Sequence, residues 1–466
     1  MFKKKSFVLL IHLFTSILLI ISYILSPSLN HLQLILILFW VENVCISFFD
    51  QLLNLYQIFL GTSFLFLYGR IFLDFIGLCD FRILNLWENS YLNDYQTYTL
   101  LIVCFIFLLS TSWSWVFYVF LSPTLQSKDR KNFEKVAVCK VGNIIQYCFW
   151  GIILLLSLKY LITIKLVREN GYLFIYNGGL AAYKFPLLLR VKTLAEVLFP
   201  VLLYYKREKK SVLSNSVLFM FVQSFSLLTG QRAPAFTTFI LLIWLYSRYY
   251  KSIHWVSLTA IIIGSICVIQ SVLLWREGKY SSSLLFSFLY SQGISLLVIA
   301  GTIRHLPYFT NNIPFFFGGV TNFLQQLIFH NWGDGQNIER IMYGNYLADH
   351  LTYKISPEAY LRGNGTGSSI IAELYELSNG DLIIFFLVSF IIILLIFILA
   401  NYMYKNVFAF VYIYYLLFSF IYSPRGMLLE CFKYIFWAFP IIFLCRLVEG
   451  PYYTSIKQRN LQILSD

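Results

Sequence analysis

The chain has 466 residues, 59% hydrophobic and only 12% charged, with a net charge of +13. Soluble globular chains average about 25% charged residues, so a soluble enzyme is excluded. A mostly lipid-facing surface also means that the positive balance must be read loop by loop, and it does not indicate a nucleic-acid partner.

Many apolar runs reach about 18 residues or more, enough to cross a ~30 Å hydrocarbon core. They lack the alternating polarity of barrel strands. The fold class is therefore an all-α polytopic membrane protein. The eight cysteines form no CxxC pair and fall mostly within apolar runs, which argues against a metal site or a disulfide framework.

In chain order, "MFKKKSFVLLIHLFTSILLIISYIL" has the charge pattern of a signal peptide but no small-residue cleavage site, so it reads as a retained first span. Twelve spans are predicted in all, at 6–26, 32–49, 52–69, 98–121, 142–163, 185–205, 212–229, 233–250, 254–274, 382–401, 406–422 and 427–447. This divides the chain into spans one to nine (1–274), a large loop with interfacial helices (275–381), and spans ten to twelve with a tail (382–466).

Basic clusters occur at Lys3-Lys4-Lys5, Lys128 to Lys140, "KREKK" (206–210), Arg248 with Lys251, Lys405, and Lys457 with Arg459. Every interval between them contains an even number of spans, so all clusters lie on one side, the cytoplasmic one by the positive-inside rule. Both termini are then expected in the cytoplasm and the 275–381 loop outside. Its apolar stretch "SSSLLFSFLYSQGISLLVIAGTI" would break this parity as a span, so it is expected to lie in the interface or on the outer face.

Sorted by this topology, the cytoplasmic side holds 13 Lys and 5 Arg, and the outer side 7 Lys and 10 Arg. Arginine is favoured where a planar fork must grip phosphate or carboxylate. The outer excess points to an anionic ligand, with lipid-phosphate contact as the plainer alternative.

Several positions sharpen the first reading. In "LLTGQRAPAFTTF", Gly230 ends one helix and Pro234 suits the start of the next, placing Arg232 at a hairpin apex beside free helical N–H groups. Arg276 in "LLWREGKYSSS" directly follows the ninth span, where snorkelling is the alternative, and Arg425 in "IYSPRGMLLE" lies between Pro424 and Gly426 at an expected external turn between two spans. Arg190 and Lys192 fall inside the sixth span; Lys192 has Glu196 four residues on as an ion-pair partner, whereas Arg190 has no such local partner.

"RGNGTGSSIIAELYELSNGD" (362–381) combines Arg362 with a glycine loop, including Gly365 and Gly367, and a short helix capped by Ser368 or Ser369. The loop can cradle phosphate or serve as a hinge, and the helix reads as amphipathic and interfacial. With no GK[ST] and no preceding strand, a nucleotide site is not indicated. The loop also holds general-base candidates at His305, His330, His350, Asp334, Glu339, Asp349 and Glu373, none in a metal-binding spacing.

"LLTGQRAP", "YSQGISL", "GNGTGSSIIAELY" and "SPRG", with the span count and loop position, resemble the Wzy-type O-antigen and capsular polysaccharide polymerases. The resemblance implies a GT-C-like glycosyltransferase of the cytoplasmic membrane. It would move a growing glycan from polyprenyl (undecaprenyl) pyrophosphate to another lipid-linked repeat unit, with no cofactor. It also implies that Arg232, Arg276 and Arg425 hold pyrophosphate, with Arg190 and Arg362 in support. For the base the chain offers several candidates and no clear match to the family; a group must take the proton from the acceptor hydroxyl, and His330 or Glu373 is expected to do so. A chain-length regulator and a flippase are the implied partners. A ligase of the same architecture and a lipid-linked oligosaccharide flippase are the competing readings.

Overall fold

A computed structural model describes residues 2–48, 53–86, 88–121, 140–175, 186–231, 233–251, 284–309, 313–329 and 335–463, with a few single positions between 253 and 271. The first half contains α1 (Phe2–Leu25), α2 (Leu29–Ser47), α3 (Leu55–Phe75), a hairpin of β1 (Ile83–Leu86) and β2 (Glu88–Tyr91), α4 (Asp94–Leu121), α5 (Lys140–Asn170), α6 (Pro186–Tyr205), α7 (Lys209–Leu228) and α8 (Ala233–Tyr249). After it come α9 (Leu284–Gln292), α10 (Ser295–His305), α11 (Gly318–Ile328), α12 (Ile338–Tyr343), α13 (Leu347–Ile355), α14 (Pro357–Leu361), α15 (Ile370–Leu377), α16 (Leu382–Asn401), α17 (Val407–Tyr422) and α18 (Phe432–Ile463).

Among the described residues, eight helical segments are long and apolar enough to cross a membrane, and Leu9–Leu25 and Val407–Tyr422 are shorter apolar helices. Most of the expected ninth span, 254–274, lies outside the described residues. Helix starts agree closely with the sequence. Asn54 and Gln57 form a reciprocal capping box on α3. Asp381 accepts the N–H groups of Ile383 and Ile384 at the head of α16, and Asn406 accepts that of Ala409 at the head of α17.

The core lies where α3, α4, α16 and α17 meet. α16 runs along α4, and Phe59 of α3 stacks on Phe420 of α17 with ring centres 4.4 Å apart. A polar knot ties α1 to α2 and α4: His12 Nδ1 lies 3.3 Å from Glu42, Thr15 donates to Glu42, and His12 Nε2 meets the Ser112 hydroxyl at 2.8 Å. In hydrocarbon such groups need each other, because lipid offers them no partner.

Two expectations change. The 284–308 segment is packed into the protein, with Ser295 through Thr302 all buried. It is long and apolar enough to span, and α9 packs on α3 while α10 packs on α4, α13 and α15. Gln292, Gly293 and Ser295 break its hydropathy yet are buried against other protein groups. α15 is likewise packed on more than one side: Ile370 through Tyr375 are all buried, Glu373 among them. Its C-terminus ends as expected, with Asn379 (φ 50°) and Gly380 (φ 78°) in the left-handed region.

Gly319 brings α11 against the segment that links α17 to α18; a Cβ there would lie 2.4 Å from the Leu429 carbonyl oxygen. Gly319→Ala should therefore destabilise the protein by about 1–3 kcal/mol. Gly61→Ala, at a helical position with open space, should be neutral or slightly stabilising. Thermal unfolding of the two detergent-purified variants checks the contrast, and equal midpoints would refute this packing.

Candidate functional site

Three motifs separated widely in sequence meet at one end of the bundle. α17 ends in a turn in which Arg425 N–H donates to the Tyr422 carbonyl over 2.8 Å. The Ser423 carbonyl in that turn accepts the N–H of Ile370, at the start of α15, over 2.8 Å. Gly367 (φ 78°) lies just above it, where an added Cβ would stand 3.9 Å from the Arg425 carbonyl oxygen. Thus "GNGTGSS" seats on "SPRG" through backbone groups.

"YSQG" completes the cluster. Arg425 Nη1 donates to Gln292 Oε1 over 2.5 Å, and its guanidinium carbon lies 5.5 Å from the centre of the Phe66 ring. Two residues earlier, the Tyr290 hydroxyl accepts from Arg70 Nη2 over 3.0 Å, and the same nitrogen donates to the Ile83 carbonyl of β1 over 3.1 Å. Arg70 is 3% exposed. Arg70 belongs to none of the motifs above, and its sequence signal is a charge at the end of the predicted 52–69 span.

Other polar groups surround this cluster. Lys192 Nζ donates to Gln231 Oε1 over 3.1 Å, so its observed partner belongs to the α7–α8 hairpin and is not Glu196. Gly230 closes α7 as expected: its N–H bonds the Leu227 carbonyl, and Gln231 N–H bonds that of Ser226. Lys433 Nζ meets Glu430 at 2.5 Å, and both side chains stay accessible, at 37% and 50%. Lys192 and Arg340 are further cationic neighbours of Glu430. Arg340 is itself paired with the buried Asp349 at 2.6 Å. Lys192, Arg340, Arg425 and Lys433 face Asp349, Glu430 and, beside Tyr434, Glu196, an excess of one cation among these groups that suits an anionic ligand.

Of the sequence candidates, Arg425, Gly367 and Glu373 are brought together here. Arg190 is exposed on α6. Arg362 is 73% exposed and donates to Glu358 over 3.2 Å. Gly365 is exposed and faces Gln336. Arg232, Arg276 and His330 lie outside the described residues.

Glu373 is fully buried, accepts a 2.6 Å hydrogen bond from the Ser368 hydroxyl at Oε1, and has no partner for Oε2 among the described residues. Burial holds its carboxyl well above the ordinary range, against the Ser368 bond and with help from Glu376 and Glu430. As placed, it is sealed from solvent. Burial also pushes Glu376 up to about 7, opposed by the Phe315 N–H, which it accepts over 3.0 Å.

The model of one protein family, described as O-antigen polysaccharide polymerase Wzy, matches residues 7–451. The chain belongs to this family. Neither a curated protein nor a solved structure matches it. This Wzy polymerase is thus a multi-pass membrane protein of polysaccharide biosynthesis, and members of its family act on lipid-linked oligosaccharide repeat units. The site described above is where three of the motifs that resemble the family converge.

The raised Glu376 carboxyl gives a pH prediction. From its ordinary value of 4.5 up to about 7 the unfolded chain loses this proton while the folded chain keeps it, so the group lowers folded stability as pH rises through that window. Glu376→Gln removes the effect and still accepts the Phe315 N–H. The variant's thermal midpoint relative to the parent should climb across that window and then level off; a pH-independent difference would rule this out.

Proposed function

We propose that this polymerase transfers a growing glycan from its polyprenyl pyrophosphate carrier to a hydroxyl on a second lipid-linked repeat unit, at the outer face of the cytoplasmic membrane. With twelve spans in a GT-C-like arrangement and both termini cytoplasmic, the site end of the bundle would face outward. In the transfer, the bond from the anomeric carbon to the pyrophosphate oxygen breaks and its electron pair leaves with the pyrophosphate. A new carbon–oxygen bond forms to the acceptor hydroxyl, whose proton passes to a base. Charge grows on the leaving group, so fixed cations around it lower the barrier.

Arg425 is the leading candidate for that role. One of its N–H groups is fixed by Gln292, and a guanidinium stays charged and binds phosphate through two parallel N–H bonds. Lys192 holds the hairpin that carries Arg232 through Gln231, which supports Arg232 as a second clamp. Arg276 would complete the set, with Arg190 and Arg362 guiding the substrate and Gly365 and Gly367 lending backbone N–H groups. His330 is the preferred base. Glu373 could serve only after α15 parts from the 423–426 turn, because its carboxyl is buried where it stands. The substrates would reach the enzyme from a flippase, and a chain-length regulator would act beside it.

One observation carries this reading: "YSQG", "GNGTGSS" and "SPRG" converge on one half-buried arginine. Arg425→Ala and Arg232→Ala should each abolish chain growth while the protein still inserts. Arg425→Lys should lose roughly 10–100-fold, because a point charge replaces the fork. The check is a glycan ladder from cells expressing each variant in place of the parent, with protein level measured alongside. Normal polymer from a well-expressed Arg425→Ala variant would overturn the assignment.

A further inference from the structure

We infer that Arg70 is a positioning residue for Arg425, and that α3 is the platform on which the Arg425 guanidinium is set. The inference rests on the reading that Arg425 grips the pyrophosphate.

α3 contributes two side chains to the cluster, four residues apart. Phe66 lies beneath the Arg425 guanidinium. Arg70 reaches the bend between α9 and α10 and holds the Tyr290 hydroxyl, with its guanidinium carbon 4.1 Å from the centre of the Tyr290 ring. Gln292, two residues past Tyr290, holds Arg425. One rigid bend thus has a guanidinium on each side of it.

Arg70 is not arranged to take substrate itself. It is almost fully buried, its Nη2 is committed to Tyr290 and Ile83, and its Nε is buried without a partner among the described residues. A buried cation with an incomplete set of hydrogen bonds is expensive, and an apolar residue would fill the position at less cost if packing were its only task.

Gly293 shows how close the fit is. A Cβ there would lie 2.6 Å from Arg70 Cβ and 3.2 Å from its Cδ, so the bend can rest against α3 only without a side chain. The α3 segment Phe64–Tyr68 is π-helical. A π turn inserts a residue and rotates the rest of the helix by about 100° relative to a continuous α-helix, and here it lies between the start of α3 and Arg70. Such segments recur at functional sites. The β1–β2 hairpin joins the assembly through the Ile83 carbonyl.

The chain of contacts is short and directional: Arg70 fixes Tyr290, the bend carries Gln292, and Gln292 orients Arg425. A misplacement of about 1 Å in a catalytic group costs roughly 100-fold in rate, so each link should be visible in turnover.

The test uses the full-length protein in native membranes from a strain lacking its own copy. The substrate is the lipid-linked repeat unit extracted from that same strain. Polymer formation is measured for Arg425→Ala, Gln292→Ala, Tyr290→Phe, Arg70→Lys and Arg70→Ala, and for the Arg70→Ala/Gln292→Ala double variant.

Arg425→Ala should give no polymer. Gln292→Ala and Tyr290→Phe should each lose roughly 10–100-fold, mainly in kcat and not in KM. Arg70→Lys should recover part of what Arg70→Ala loses, and the double variant should be about as slow as the worse single, because coupled residues are non-additive. Wild-type rates for Tyr290→Phe and Gln292→Ala beside an inactive Arg425→Ala would overturn the inference alone, as would losses that multiply in the double variant. An active Arg425→Ala would instead sink the pyrophosphate reading, and this inference with it. If Arg70→Ala does not accumulate, the Tyr290→Phe and Gln292→Ala variants decide the question, since each deletes a single tether.

Discussion

A guanidinium buried near the end of a membrane helix must find oxygen atoms or stay in water. In this protein that constraint is met by folding an interrupted apolar segment back against α3. Arg70 takes the Tyr290 hydroxyl and the Ile83 carbonyl, and in doing so it fixes the bend from which Gln292 reaches Arg425. The rest of the cluster depends on that contact: "SPRG" faces the bend, and "GNGTGSS" sits on "SPRG" through the Ser423 carbonyl.

The carboxylates around the cluster behave differently from one another, and burial explains the difference. Glu373 and Glu376 share α15, yet Glu373 is sealed with only the Ser368 hydroxyl at Oε1, whereas Glu376 is partly buried and takes a backbone N–H from Phe315. Both are held above the usual carboxylate range, Glu373 the further. At a given pH both are thereby less ionised than an ordinary carboxylate. Asp349, which burial also holds above its ordinary value, and Glu430 each face a cation at hydrogen-bonding distance. The field at the site is therefore set by unlike neighbours, and composition alone would not reveal it.

Far from this cluster, His12, Glu42, Ser112, Asn43 and Tyr56 form a second buried polar network. Tyr56 donates to Asn43 over 2.7 Å, and the Ser112 hydroxyl joins Asn43 to His12. Outside this knot α1 presents mostly lipid-compatible surface, with Leu10, Phe14 and Ile24 exposed. A few hydrogen bonds in hydrocarbon can register such a helix against its neighbours, because the polar groups have no alternative partner there.

The sequence by itself determined the features that the bilayer imposes. A helix that must satisfy its own backbone in lipid needs about twenty apolar residues, so the helices and many of their boundaries were legible, whereas the caps at Asn54, Asp381 and Asn406 came only with the structure. The Gly230 and Asn379-Gly380 helix ends could also be read, because left-handed backbone and helix termination are local chemistry. The motifs that mark the family were legible too. Their meeting was not: Arg70 and Tyr290 are 220 residues apart, and Gln292 and Arg425 are 133 apart. The polar breaks in 284–308 look the same whether they face water or protein, so that segment read as interfacial when it is packed inside. Lys192 had a local candidate in Glu196 and took a distant one, Gln231. Only the tertiary structure decides such choices, since hydropathy and periodicity report which groups must be buried or paired, and the packing of remote helices selects the partner.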